Sequence, residues 1–116
     1  MAEFTGSATA SFSASHVIKD HLRCGRLHGH RWTVTVTIKA GQDPASGELL
    51  GLAELAEAVV TLARELDREH LNDMVPGAPP TPAGLALAWR EQLVMHFRAI
   101  TEIRVDMDEV SATLHA

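Results

Sequence analysis

The sequence predicts an α+β domain built in the order strand, strand, helix, helix, strand, strand (ββααββ). Polar and apolar residues alternate near the N-terminus, apolar residues then recur at helical spacing, and alternation returns before the C-terminus. We expect a single domain, 1–116, because domains cluster at roughly 100–150 residues. Hydrophobic residues make up 46% of the chain, which is enough to form a core.

Alternation predicts the first two strands at about residues 4–17 and 28–40, with a loop at residues 18–27 between them. Side chains two residues apart in a strand point to the same face. His16 is therefore in phase with Phe12 and Ala14. The second strand carries His28 and His30 on the same face as its apolar residues, Trp32, Val34, Val36 and Ile38. Both strands thus have an apolar face with histidine at one end.

Two helices are predicted next. The first covers residue 52 to about residue 69, where these apolar residues fall at helical spacing: Leu52, Leu55, Ala56, Val59, Ala63 and Leu66. After a loop at residues 70–80, Thr81 and Pro82 provide an N-cap and a first-turn proline. The second helix presents a buried stripe of Leu85, Ala88, Trp89, Leu93, His96 and Phe97. We interpret His96 as a partly covered helix residue. Renewed alternation predicts strands at residues 103–107 and 110–114.

The three in-phase histidines indicate a metal site. If the first two strands pair as a hairpin, His16, His28 and His30 converge at one end of the sheet. Catalytic zinc is held by three protein ligands and keeps an open position, whereas structural zinc usually has four ligands. Imidazole ligation suits zinc best, but copper, iron and nickel remain alternatives. The competing interpretation is a chance histidine pair on a polar strand end.

Cys24, the single cysteine, lies in the predicted loop before His28. It could act as a nucleophile or a base. A thiol has a pKa of about 8.5, so nearby positive charge from Arg23, Arg26 or a metal would be needed to form a thiolate. The alternative is a small buried apolar residue.

The composition limits the classes of partner that the protein is expected to bind. The net charge of −5 offers no basic surface for nucleic acid or an anionic membrane. No apolar run approaches the roughly 20 residues that a membrane span requires. One cysteine cannot form an internal disulfide, and the N-terminus lacks a secretory signal pattern. We therefore expect a cytoplasmic protein that binds neither nucleic acid nor membrane.

The motifs Phe-x-Ala-x-His and Cys-Gly-Arg-Leu-His-Gly-His resemble those of the 6-pyruvoyl- and 6-carboxy-tetrahydropterin synthase family. The resemblance continues in Leu66-Asp67, in Leu71-Asn72-Asp73 and in Pro80-Thr81. It implies a T-fold: a four-stranded antiparallel sheet with two helices packed on one face. It also implies trimers whose sheets join into a barrel, often paired as hexamers, with active sites between subunits.

The resemblance implies a role for each site residue. Zinc held by His16, His28 and His30 would bind side-chain oxygens of a small-molecule substrate, and Cys24 would move a proton. An Asp-His relay is expected at the end of the first helix. Its aspartate matches Asp67, but Arg68 occupies the histidine position and cannot exchange protons at neutral pH.

Two further site residues follow from these departures. His70 could replace the relay histidine, and Asp67 could equally be a plain helix-end residue. The glutamate that anchors the pterin matches Met107, which has no charged acceptor. Glu109 has the strand parity of Met107 and is the expected substitute for substrate binding.

The function expected from the resemblance is a zinc-dependent carbon–oxygen lyase acting on dihydroneopterin triphosphate or a related substrate. The pyruvoyl and carboxy products remain open. One alternative is a divergent zinc enzyme of specialised metabolism acting on a non-pterin substrate, since the pterin-recognition positions differ. Another is a non-catalytic T-fold binding protein, which the retention of the histidines and Cys24 disfavours.

Overall fold

The part of the chain that the structure describes forms one four-stranded antiparallel sheet and three helices. A computed structural model describes residues 2–18 and 28–116, with the backbone alone at His28. The elements in chain order are β1 (Phe4–His16), β2 (His28–Ala40), α1 (Leu52–Leu66), α2 (Leu71–Met74), α3 (Pro82–Leu93), β3 (Ile100–Met107) and β4 (Val110–His115). The strands lie in the order β1-β2-β3-β4. The predicted α+β arrangement is confirmed, with α2 as a short addition inside the predicted loop.

The two long helices end earlier than predicted. Helix α1 ends at Leu66, because Asp67 is extended and Arg68 has a left-handed φ of 63°. Helix α3 ends at Leu93, and both His96 and Phe97 donate backbone N–H bonds to its carbonyl oxygen. His96 therefore follows the helix and is exposed, so its interpretation as a partly covered helix residue is wrong. No helix among the described residues is long and apolar enough to span a membrane.

The core lies between the apolar face of the sheet and helices α1 and α3. Phe12 of β1 stacks on Trp32 of β2 and on Trp89 of α3, with ring centroids 6.4 and 6.3 Å apart. The helices bury the residues that their spacing predicted, among them Leu55, Val59, Ala63 and Leu66 in α1 and Leu85, Trp89 and Leu93 in α3. The period-2 alternation of β1 and β2 thus places one face under the helices and the other away from them.

The opposite face of the sheet is covered by polar side chains that bond across strands. Three hydroxyl pairs join β1 to β2: Ser7–Thr37 at 2.8 Å, Thr9–Thr35 at 3.1 Å and Ser11–Thr33 at 2.8 Å. On β3, Arg104 pairs with Asp106 at 3.0 Å. We call the three hydroxyl pairs between β1 and β2 the hydroxyl ladder. Each of these bonds satisfies a donor on one hydroxyl and an acceptor on the other.

The chain after α1 lies along the outer edge of β1. Asp67 accepts a bond from the Ser13 backbone N–H at 2.9 Å, and the Arg68 N–H donates to the Ser13 carbonyl at 2.6 Å. The Ser15 N–H donates to the Glu69 carbonyl at 3.1 Å, and residues 15 and 70 form a parallel bridge. We call residues 67–70 the edge segment. It explains the early end of α1, because its backbone bonds to β1 require a non-helical conformation.

The side chain of Asn72 extends the contact between the edge segment and β1 by one residue beyond the end of that strand. The Asn72 amide accepts from the Val17 N–H at 2.9 Å and donates to the Val17 carbonyl at 3.0 Å. These two bonds resemble those between paired residues of neighbouring strands. They hold the backbone of Val17, the residue that follows His16.

Candidate active site

The first hairpin brings the predicted histidines together at one end of the sheet. Its register places His16 directly opposite His28 and places His30 opposite Ala14. The rings of His16 and His30 lie edge to face, with centroids 4.9 Å apart and planes at 85°. His16 is completely buried. Two of the three predicted ligands are therefore adjacent, and the backbone of the third lies in register beside them.

Trp32 packs beneath the two imidazoles. Its ring meets that of His16 at a centroid distance of 5.2 Å and that of His30 at 6.3 Å, both nearly perpendicular. The indole N–H donates to the Ala14 carbonyl at 3.2 Å, and Trp32 is completely buried. A rigid aromatic surface thus limits how far either imidazole can rotate.

The two imidazoles of this centre, His16 and His30, each use Nδ1 for a hydrogen bond. His16 Nδ1 lies 2.6 Å from the Pro80 carbonyl oxygen, and His30 Nδ1 lies 2.5 Å from Oδ2 of Asp108. Both partners are acceptors, so Nδ1 must be the donor in each ring, and the tautomer is assigned from these contacts. The lone pair of a neutral imidazole then resides on Nε2. Ligating histidines in metal sites have this arrangement, with Nδ1–H bound to a carbonyl or carboxylate.

These residues fit a divalent metal ion in donor chemistry. Within residues 2–18 and 28–116, no group of three histidine, cysteine, aspartate or glutamate side chains forms a metal-binding cluster. The third predicted ligand is His28, whose side chain is not described, and Cys24 lies outside the described residues. A zinc ion at His16, His28 and His30 therefore stays a prediction.

The predicted relay residues both lie along the edge of β1. The Asp67 carboxylate accepts the Ser13 N–H, which gives it a role at the helix end whatever else it does. His70 Nδ1 lies 3.0 Å from the hydroxyl of Ser15, the residue before His16. The edge segment thus connects both residues to the histidine end of β1. Their catalytic roles stay predictions.

The parity argument for Glu109 is wrong. Strand β3 ends at Met107, which pairs with Val110 across a tight turn of Asp108 and Glu109. A turn breaks the strand alternation, and Glu109 is exposed while Met107 is buried in the core. Substrate binding by Glu109 stays a prediction that no longer rests on its strand face.

Sequence reasoning missed the two partners of the imidazoles. Asp108 would point to the other face from Met107 if strand β3 continued, but its φ of 54° places it in a turn. The acceptor from Pro80 is a backbone carbonyl, which no side-chain pattern could reveal. An acidic pair between two alternating segments was the available signal for Asp108.

The fold and the site together define a T-fold protein with a candidate histidine centre at one end of its sheet. The family model for 6-pyruvoyl tetrahydropterin synthase matches residues 5–114 of this chain. The chain therefore belongs to the 6-pyruvoyl tetrahydropterin synthase family, as the sequence motifs predicted.

Individual relatives agree with this family. A protein of Archaeoglobus fulgidus, provisionally named 6-carboxy-5,6,7,8-tetrahydropterin synthase, is 29% identical over 101 residues, 87% of this chain and 85% of that protein. The 6-pyruvoyl tetrahydrobiopterin synthase of Drosophila melanogaster is 35% identical over 57 residues, 48% of this chain and 34% of that one. The structure of the Caenorhabditis elegans 6-pyruvoyl tetrahydropterin synthase matches with a TM-score of 0.85 at 20% identity, covering 100% of this chain and 97% of that chain. This structural match supports the T-fold.

Proposed function

We propose that this chain is a zinc-dependent tetrahydropterin synthase-type lyase that acts on dihydroneopterin triphosphate or a related substrate. The observation that carries the proposal is the pair of adjacent imidazoles in a member of this family. His16 and His30 each donate Nδ1–H to an oxygen, so each ring has its lone pair on Nε2. The register of the hairpin supports His28 as the third ligand.

Each residue has a distinct part in this proposal. Zinc bound by His16, His28 and His30 would supply a Lewis acid that lowers the pKa of a coordinated substrate oxygen. Cys24, as the thiolate, takes or returns the proton at the adjacent substrate carbon. His70 relays protons through Nε2, because its Nδ1 is engaged by the Ser15 hydroxyl.

The architecture of the protein supports a second part of the proposal. Strands β1 and β4 are the edges of the sheet, and open edges favour pairing with another chain. We propose a homo-oligomer built from trimers whose sheets close into a barrel, so that the hydroxyl ladder lines its interior. The single cysteine suits a reducing compartment, and we place the activity in the cytoplasm.

One observation favours a second candidate function. Met107 is only 8% exposed and belongs to the core. Its thioether also offers no charged acceptor to a pterin ring. A divergent zinc enzyme acting on a non-pterin substrate would not need such an acceptor. In the first candidate, Glu109 must bind the pterin edge from the β3–β4 turn.

Product analysis tests the proposed lyase. Zinc-loaded protein is incubated with dihydroneopterin triphosphate, and mass spectrometry is used to detect a 6-substituted tetrahydropterin. We expect product from the wild type, little from Cys24→Ser with its zinc retained, and neither product nor stoichiometric zinc from His28→Ala. A zinc-loaded wild type that gives no product would favour the non-pterin candidate. Equal zinc content in wild type and His28→Ala would rule out the ligand assignment.

A further inference from the structure

We propose that Asp108 is a positioning residue for His30, so that the candidate metal centre depends on a carboxylate from the β3–β4 turn. The inference rests on the proposed zinc function. It assigns Asp108 no contact with metal or substrate, because its carboxylate acts on the centre through the Nδ1 atom of His30.

The contact joins a partly exposed turn residue to a mostly buried ring. Asp108 Oδ2 lies 2.5 Å from His30 Nδ1, and the two side chains are 47% and 16% exposed. A carboxylate accepts hydrogen bonds only, so this contact fixes the proton of the neutral imidazole on Nδ1. The same contact fixes the ring plane, since rotation about the side-chain bonds would break it.

The shape of the turn explains why the carboxylate comes from position 108. Strand β2 pairs with β3 up to Trp32 and Met107. A continued ladder would place Glu109 opposite His30, because each step back along β2 matches one step forward along β3. The chain instead turns after Met107, and the left-handed φ of 54° at Asp108 accompanies the turn. The carboxylate that reaches His30 therefore belongs to Asp108.

A carboxylate in this position has a known physical effect on a ligand. It keeps the tautomer that presents Nε2 and makes that nitrogen a better electron donor to a metal. Loss of such a partner typically lowers metal affinity by about 10–100-fold. The rival explanation is that the pair is merely a surface contact that stabilises the turn.

Two substitutions separate these explanations because both suit the turn. Asparagine and glycine each accept a left-handed backbone, so Asp108→Asn and Asp108→Gly keep the turn while removing the charged acceptor. Asp106→Asn is the matched control: it removes the same charge two residues away, where the carboxylate pairs with Arg104 on the other face of the sheet.

The experiment measures zinc affinity by chelator competition in the four proteins. In the metal-free proteins, nitrogen NMR of the histidine rings gives the tautomer of His30. We expect one zinc per wild-type chain, about 10–100-fold weaker binding in both Asp108 variants, and no change in Asp106→Asn. We also expect Nδ1–H at His30 in the wild type and a mixture of tautomers in the Asp108 variants.

The outcomes separate this inference from the proposed function. If the wild type binds zinc and Asp108→Asn binds it equally well, the positioning role is wrong and the zinc function stands. An equal loss of affinity in Asp106→Asn, or an unchanged His30 tautomer, would also overturn the positioning role because charge alone would then explain the loss. A wild type that binds no zinc would overturn both proposals.

Discussion

Gly84 occupies a position in α3 where a methyl group has no room. It is buried in the first turn of the helix, and its N–H donates to the Thr81 hydroxyl at 3.0 Å. A Cβ at this residue would lie 1.8 Å from the Pro79 carbonyl oxygen and 2.8 Å from its carbonyl carbon. Real Cβ contacts essentially never fall below 3.0 Å. Gly84→Ala must therefore displace the backbone at Pro79.

Two opposing energies decide the effect on stability. Alanine is favoured over glycine inside a helix by about 1 kcal/mol. Overpacking a filled site costs about 1–3 kcal/mol and sometimes more, and rigid proline backbone places this site at the upper end or beyond. We expect Gly84→Ala to lower the free energy of unfolding by about 2 kcal/mol, the difference between these effects. For a chain of this size, that corresponds to a fall in Tm of about 8 °C.

Thermal unfolding followed by circular dichroism measures the change. Gly77→Ala is the matched control, because Gly77 lies in the loop that contains Pro79 and its added Cβ would meet nothing within 4 Å. Its Tm should stay close to that of the wild type. Gly84→Ala should also bind zinc more weakly, since the neighbouring Pro80 carbonyl orients His16. Equal Tm values for the two variants would refute the argument from close packing.

Three further predictions concern the edge of β1, the turn and the assembly. Asn72→Ala removes both bonds to the Val17 backbone and should cost about 1–3 kcal/mol in urea unfolding, with Asn72→Asp intermediate because it keeps the acceptor; an unchanged midpoint would contradict this. Glu109→Gln should weaken pterin binding by about 10–100-fold in calorimetry if this residue is the anchor, and unchanged affinity would exclude it. Native mass spectrometry should detect trimers or hexamers, and a stable monomer would defeat the proposed barrel.

Local periodicity predicted most of the fold because each pattern reports on the burial of one face. Alternation in β1 and β2 placed Phe12, Trp32 and the histidines on the buried face, as the structure confirms for His16. Helical spacing identified the buried residues of α1. The convergence of His16 and His30 followed from the same alternation once the strands paired as a hairpin.

The errors arose where contacts distant in sequence determine the backbone. The left-handed Arg68 ends α1 and bonds to Ser13, which lies far away along the chain. The tight turn after Met107 invalidated the parity argument for Glu109 and gave His30 a partner at Asp108. A helical pattern that continues past Leu93 also gave no sign that His96 lies outside α3.

The edge segment has a consequence for any strand that joins this sheet. Backbone groups of alternate residues in an antiparallel strand face the same edge, and those of Ser13 and Ser15 already bond to residues 67–70. A strand from another chain that pairs with β1 is therefore limited to the earlier outward-facing positions of β1, Thr5, Ser7, Thr9 and Ser11. The edge segment therefore limits how many residues of β1 can pair with a strand from another chain. It also excludes the histidine end of β1 from that pairing.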